Sequence, residues 1–122
     1  MRRDALYLAD MAEAADSVAS FVAGVRQEEF AVNDVLRSAV LQKLTVIGEA
    51  AARLSADLKA QHPKIPWADI IAFRNIAVHA YFSVDWSIVW ATATADVPSL
   101  REDIARILSI ERPDVEPGGP AS

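Results

Sequence analysis

The chain has 122 residues, 52% of them hydrophobic, with four glycines, six prolines, no cysteine and a net charge of −5. That length and composition fit one globular domain with its own core, and exclude a disordered chain, disulfides and thiolate metal sites. Asp4, Asp10 and Glu13 interrupt any apolar leader and no run approaches about eighteen uncharged apolar residues, so neither a secretion signal nor a membrane span is expected, and the cytoplasm is the expected location.

The first helix is expected over Asp4–Val25. Leu6, Met11, Ala14, Ala15, Val18, Phe21, Val22 and Val25 recur at helical spacing, and Gly24 stands as a stop signal. RQEEFAVND, 26–34, reads as a polar break anchored by Phe30, with Asn33 or Asp34 able to cap the next helix. The second helix is expected over Asp34–His62, on a stripe of Val35, Leu36, Ala39, Val40, Leu44, Ile47, Ala51, Leu54 and Leu58. Gly48 sits inside it at a cost of about 1 kcal/mol against alanine, and a close helix crossing is the local reason to tolerate it. HPKIPW is a turn: Pro63 stops the second helix and Pro66 suits the first turn of a third, Pro66–Ala80. A fourth helix runs from Ser83 or Val84 to Glu111, with Ser83 as cap, Asp85 in the acidic first turn and a kink or break near Pro98. The fold expected is all-α, an up-and-down bundle of four main helices over 1–112, followed by a Pro/Gly-rich disordered tail, 113–122.

Charge is unevenly spread. Between Arg37 and His79 six basic residues (Arg37, Lys43, Arg53, Lys59, Lys64, Arg74) meet three acids (Glu49, Asp57, Asp69), so the middle is net +3 and the remainder −8. A positive middle permits a local polyanion site; a solvated helix face of Lys43, Arg53 and Lys59 accounts for the same pattern.

Arg74, Asn75, His79 and Tyr81 gather at the end of an otherwise apolar helix. Asn75 and His79 are i and i+4; Arg74 and Tyr81 are two turns apart if the helix continues. These groups suit phosphodiester cleavage by the RNA's own 2′-hydroxyl. Histidine serves as acid or base, arginine grips phosphate, and asparagine orients the imidazole or binds a phosphate oxygen. One chain offers one well-placed histidine where the reaction wants two proton-transfer groups; a two-fold dimer supplies the second. A lone helical histidine is also commonly a core or interface residue, and an Arg-Asn pair a salt bridge or cap. His79 has no partners at metal-ligand spacing, and His62, in the turn, has no obvious partner.

Arg74-Asn75, three residues, His79, one residue and Tyr81 resemble the signature of the HEPN superfamily in its HepT toxin branch. DALYLADM, EEFAVNDVLRSAVLQKLTVIGEAAARLS, PKIPWADI and VDWSIVWATATADVPSL resemble the same family's layout, over Arg3–Leu108. The resemblance implies a HEPN bundle whose dimer lines one cleft with both Arg-His motifs. It implies an RNase with no metal and no cofactor, acting on RNA and not DNA, as the toxin of a type VII-like toxin–antitoxin pair. Arg74 and His79 would be catalytic and Asn75 supporting. Tyr81 would receive AMP from an MntA-like nucleotidyltransferase antitoxin. Some HEPN proteins lack nuclease activity, which leaves open a non-catalytic module that binds a nucleotide or partner, and a purely structural dimer.

Overall fold

The computed structural model describes residues 2–79 and 84–111; the tail expected at 113–122 and the expected cap Ser83 lie outside them. Among the described residues the fold is all-α: α1 Arg2–Val22, α2 Gln27–Val32, α3 Asp34–Arg53, α4 Ala56–Gln61, α5 Trp67–His79, α6 Trp86–Ala91, a π-helical turn Thr92–Asp96, and α7 Val97–Glu111. No helix among them is long and apolar enough to cross a membrane.

The long α3 packs against both α1 and α5, and α1 packs in turn on α7. Two contacts give the directions. Asp4, at the start of α1, meets Ser55, just past the end of α3. Arg101, early in α7, pairs with Asp16, late in α1, at 2.8 Å. Both neighbours of α1 therefore run antiparallel to it, as an up-and-down bundle requires. The core is built from Leu8, Met11 and Val18 of α1, Val40, Leu44 and Ile47 of α3, and Val97 and Ile104 of α7, all essentially buried.

Several expected details are corrected. Leu6 is 63% exposed and Val35 81% exposed, although both belong to the expected apolar stripes. At 100° per residue Leu6 lies opposite the buried Leu8, and Val35 is one step round from Leu36, which packs on the core. The polar break at 26–34 contains a short helix, α2. The Glu29 carboxylate accepts from the Arg26 backbone N–H at 2.8 Å, and Phe30 anchors the helix at 1% exposure. Asn33 then caps α3 by accepting from Leu36 N–H at 3.0 Å. At the other end of α1, Gly24 takes φ +74°, the left-handed stop that glycine adopts without strain.

The second helix does not run through to His62. It breaks at Leu54 and Ser55, whose ψ values are 147° and 151°. Ser55 caps α4 by accepting from Leu58 N–H at 3.1 Å. Its own N–H and Oγ–H both donate to the buried Asp4 carboxylate, at 2.9 and 2.6 Å. The break is thus fixed from 51 residues away in sequence. Asp4→Ala leaves the partly buried Ser55 N–H and Oγ–H without their acceptor at the α3–α4 corner and should lower stability by about 1–3 kcal/mol, read from urea unfolding. An unchanged midpoint would show that the corner holds without the latch.

The fourth segment also departs from expectation. Asp85 is the cap of α6 instead of a first-turn acid: Ser87 donates its Oγ–H at 2.6 Å and its N–H at 3.0 Å to Oδ1. Those bonds, the hydroxyl's first, hold the Asp85 carboxyl below the ordinary carboxylate range. The irregularity expected near Pro98 is the π turn just before it, where Val97 N–H donates to Thr92 C=O. Proline cannot donate to the carbonyl four residues back, and its ring crowds that carbonyl, so the wider turn accommodates it.

Candidate functional site

The site begins with a glycine. A Cβ on Gly48 would stand 2.7 Å from the Arg74 backbone N, 3.0 Å from Ile70 O and 3.1 Å from Ile71 O. The expectation of a tight crossing is met: α5 lies directly on the α3 backbone at this point. The α5 turn in contact is the one that carries Arg74.

The next residue, Glu49, lies on the solvent side of the crossing. Its carboxylate is 3.5 Å from the Arg74 guanidinium and 3.6 Å from that of Arg53, one turn further along α3. The three side chains are 41–62% exposed, so these pairs add at most about 1 kcal/mol each and do not hold the fold together. Their consequence is placement. Two guanidiniums from different helices converge on one carboxylate, and the cluster carries one net positive charge.

The expected constellation lies only partly within the described residues. Arg74 and Asn75 lie in α5, Asn75 exposed, and α5 ends at His79. Arg74 and His79 are five positions apart, so their places on the helix are about 140° apart in angle. Tyr81 lies outside the described residues. The basic middle does not form one patch either. Arg37 is bound into the packing, its guanidinium 4.7 Å above the Trp86 ring and donating to Ala31 O at 2.9 Å. Arg53, readable in sequence as part of a solvated helix face, is the basic residue that joins Arg74. Two signals point to it: the i, i+4 spacing of Glu49 and Arg53, and the position of Glu49 beside the crossing glycine.

Trp67 fixes where α5 starts. Its ring is buried, and its indole N–H donates to His62 O at 3.0 Å, closing the turn after α4. Pro66 precedes the helix, its carbonyl accepting from Ile70 N–H at 3.1 Å.

Two grooves lie to either side of this cluster. One, of about 540 Å³, runs along α3 and α1 past Tyr7, Asp10, Leu41, Gln42 and Val46, and ends at Glu49 and Arg53. The other, of about 410 Å³, lies between α5 and α7 and carries Asp69, Asp96 and Asp103, with no basic side chain among the described residues of its lining. Among the described residues no group of three His, Cys, Asp or Glu side chains is placed to hold a metal ion. A polyanion is therefore favoured at the Arg53–Arg74 end and repelled on the α7 side.

The family described as ribonuclease HepT-like matches residues 11–107. A protein of Thermococcus cleftensis named probable ribonuclease HepT is 38% identical over 95 residues, covering 78% of this chain and 86% of its own. A Methanocaldococcus jannaschii protein bearing an RNase name is 33% identical over 98 residues, 80% of this chain and 90% of its own. Another RNase-named protein, from Caldanaerobacter subterraneus, is 31% identical over 106 residues, 87% of this chain and 95% of its own. No solved structure gives a significant match. Spanning the crossing glycine, the α5 turn and α7 alike, these similarities establish that the chain belongs to the HepT-like ribonuclease family.

Proposed function

We propose that this chain is a metal-independent endoribonuclease whose site is composed at the two-fold axis of a homodimer, with Arg74 and His79 catalytic and Asn75 supporting. The observation that carries the reading is Arg74. A glycine crossing sets its backbone, its guanidinium is open to solvent, and its charged partner among the described residues is a carboxylate at the edge of contact distance. An exposed, positioned arginine is a phosphate receptor. One chain offers one histidine near Arg74 where the reaction wants two proton-transfer groups, which favours a cleft to which two copies contribute.

The chemistry follows from the groups. The 2′-hydroxyl of the RNA loses its proton to a base and attacks the adjacent phosphorus. The bond to the 5′-oxygen breaks, and that oxygen takes a proton from an acid. The products carry a 2′,3′-cyclic phosphate and a 5′-hydroxyl. His79 and its symmetry mate supply base and acid, and Arg74 neutralises the charge gathered on the phosphorane.

In this reading the protein is the toxin of a type VII-like pair in the cytoplasm, and control falls on Tyr81. A nucleotidyltransferase antitoxin transfers AMP from ATP to the Tyr81 hydroxyl and pyrophosphate leaves. The added phosphate competes for Arg74 and the purine blocks the cleft.

The test is cleavage of single-stranded RNA with and without EDTA, followed by incubation with a cognate nucleotidyltransferase and ATP. We expect cyclic-phosphate products unaffected by chelation, then AMP mass on the Tyr81 peptide with loss of activity, and escape by Tyr81→Phe. Reversible inhibition by EDTA would sink the metal-free mechanism. Neutralisation without modification would replace AMP transfer by simple binding. Absence of cleavage by a folded dimer would favour the non-catalytic binding module.

A further inference from the structure

Among the described residues the charged partner of Arg53 is Glu49 alone. Arg53 is an exposed side chain on the last turn of α3, and its pair with Glu49 is too long and too wet to stabilise the helix much. It nevertheless stands at the end of the α1–α3 groove and shares the Glu49 carboxylate with Arg74. Both guanidinium contacts exceed normal hydrogen-bond length, so among the described residues most of the five N–H donors on each arginine are left uncommitted. Without Glu49 the two cations would repel each other and spread apart. With it they converge, and their net charge stays positive.

The groove fixes a direction. A strand held by Arg74 meets carboxylates on the α7 side of α5, at Asp69, Asp96 and Asp103. On the α3 side it meets Arg53, then a trough of about 540 Å³ lined by Leu41, Val46, Tyr7 and Gln42, whose carboxylates are Glu49, already paired to the two arginines, and Asp10 on α1. That volume accommodates a nucleotide, and its lining offers both apolar surface and an amide.

We propose that Arg53 is a second phosphate-binding residue of the site. It takes the phosphate next to the one cleaved, and the attached nucleotide lies in the α1–α3 groove. Glu49 is the positioning residue that holds the two guanidiniums together. The proposal rests on the ribonuclease reading above, in which Arg74 holds the scissile phosphate.

The experiment measures binding of a single-stranded RNA oligonucleotide to His79→Ala protein, used to prevent turnover, across a salt series. It is repeated with Arg53→Ala and Arg53→Lys added, and light scattering follows the oligomeric state. Arg53→Ala should weaken binding by about tenfold, the worth of a charge-assisted hydrogen bond. It should also flatten the log–log salt slope by about 0.7, one phosphate contact fewer on a single strand. Arg53→Lys should restore the slope. In the active chain Arg53→Ala should raise KM more than it lowers kcat. Unchanged affinity and slope would overturn the proposal, as would a loss of affinity that follows dimer dissociation with the slope intact. If the unsubstituted protein cleaves no RNA, the ribonuclease reading fails, while the salt slope still decides whether Arg53 binds phosphate.

Discussion

Arg74→Ala should reduce RNA cleavage by about 10²- to 10⁴-fold without unfolding the protein, and His79→Ala should do the same. The separation of activity from stability follows from burial and pairing. The Arg74 side chain is 41% exposed and its charged partner among the described residues is the half-exposed Glu49, so its removal takes little from the fold. The backbone of α5 is held instead by Ile70, Trp67 and the Gly48 crossing, none of which the substitution touches. Arg74→Lys discriminates further. It keeps the charge and loses the planar fork, so an intermediate loss is expected if two phosphate oxygens are held at once. Initial rates on a defined oligonucleotide, beside urea unfolding of each variant, give both quantities. An Arg74→Ala protein that cleaves at the unsubstituted rate would remove this arginine from the reaction.

What is legible in the sequence divides by range. Phe30 as an anchor, Asn33 as a cap, Gly24 as a stop and Gly48 as a crossing are local signals, and each is realised. Gly48 is informative because a mid-helix glycine costs stability and needs a reason. The α3–α4 break is not legible as a break: the stripe continues from Leu54 to Leu58, and the deciding contact is with Asp4, at the far end of the chain. The short α2 is hidden for a different reason. One buried phenylalanine in a helix of six residues gives no period to detect. At the site, residue types near the end of α5 point to Arg74, but the company it keeps comes from α3. Arg53 and Glu49 look like an ordinary helix-face pair until the crossing at Gly48 sets them beside α5.

Gly48→Ala should damage both stability and activity, and the pairing of the two losses is the informative result. In an isolated helix the change would stabilise by about 1 kcal/mol. Here the new methyl group meets backbone atoms at 2.7, 3.0 and 3.1 Å, and backbone in a packed helix cannot swing aside as a side chain can. α5 must move off α3, and overpacking of this kind costs about 1–3 kcal/mol, so the clash outweighs the propensity. The nearest of those atoms is the Arg74 nitrogen, so the displacement is delivered to the residue assigned to the phosphate. A misplacement of about 1 Å at a reacting group is enough for roughly a 10²-fold loss of rate. Gly24 provides the control. It sits at φ +74°, and an alanine methyl there would meet nothing within 4 Å. Gly24→Ala therefore costs about 1–2 kcal/mol of left-handed backbone strain and delivers none of it to α5. This variant should unfold earlier yet cleave normally at a temperature where it is folded, whereas Gly48→Ala should cleave poorly under the same conditions. Equal activity in the two variants would mean that the crossing supports the bundle without aiming Arg74.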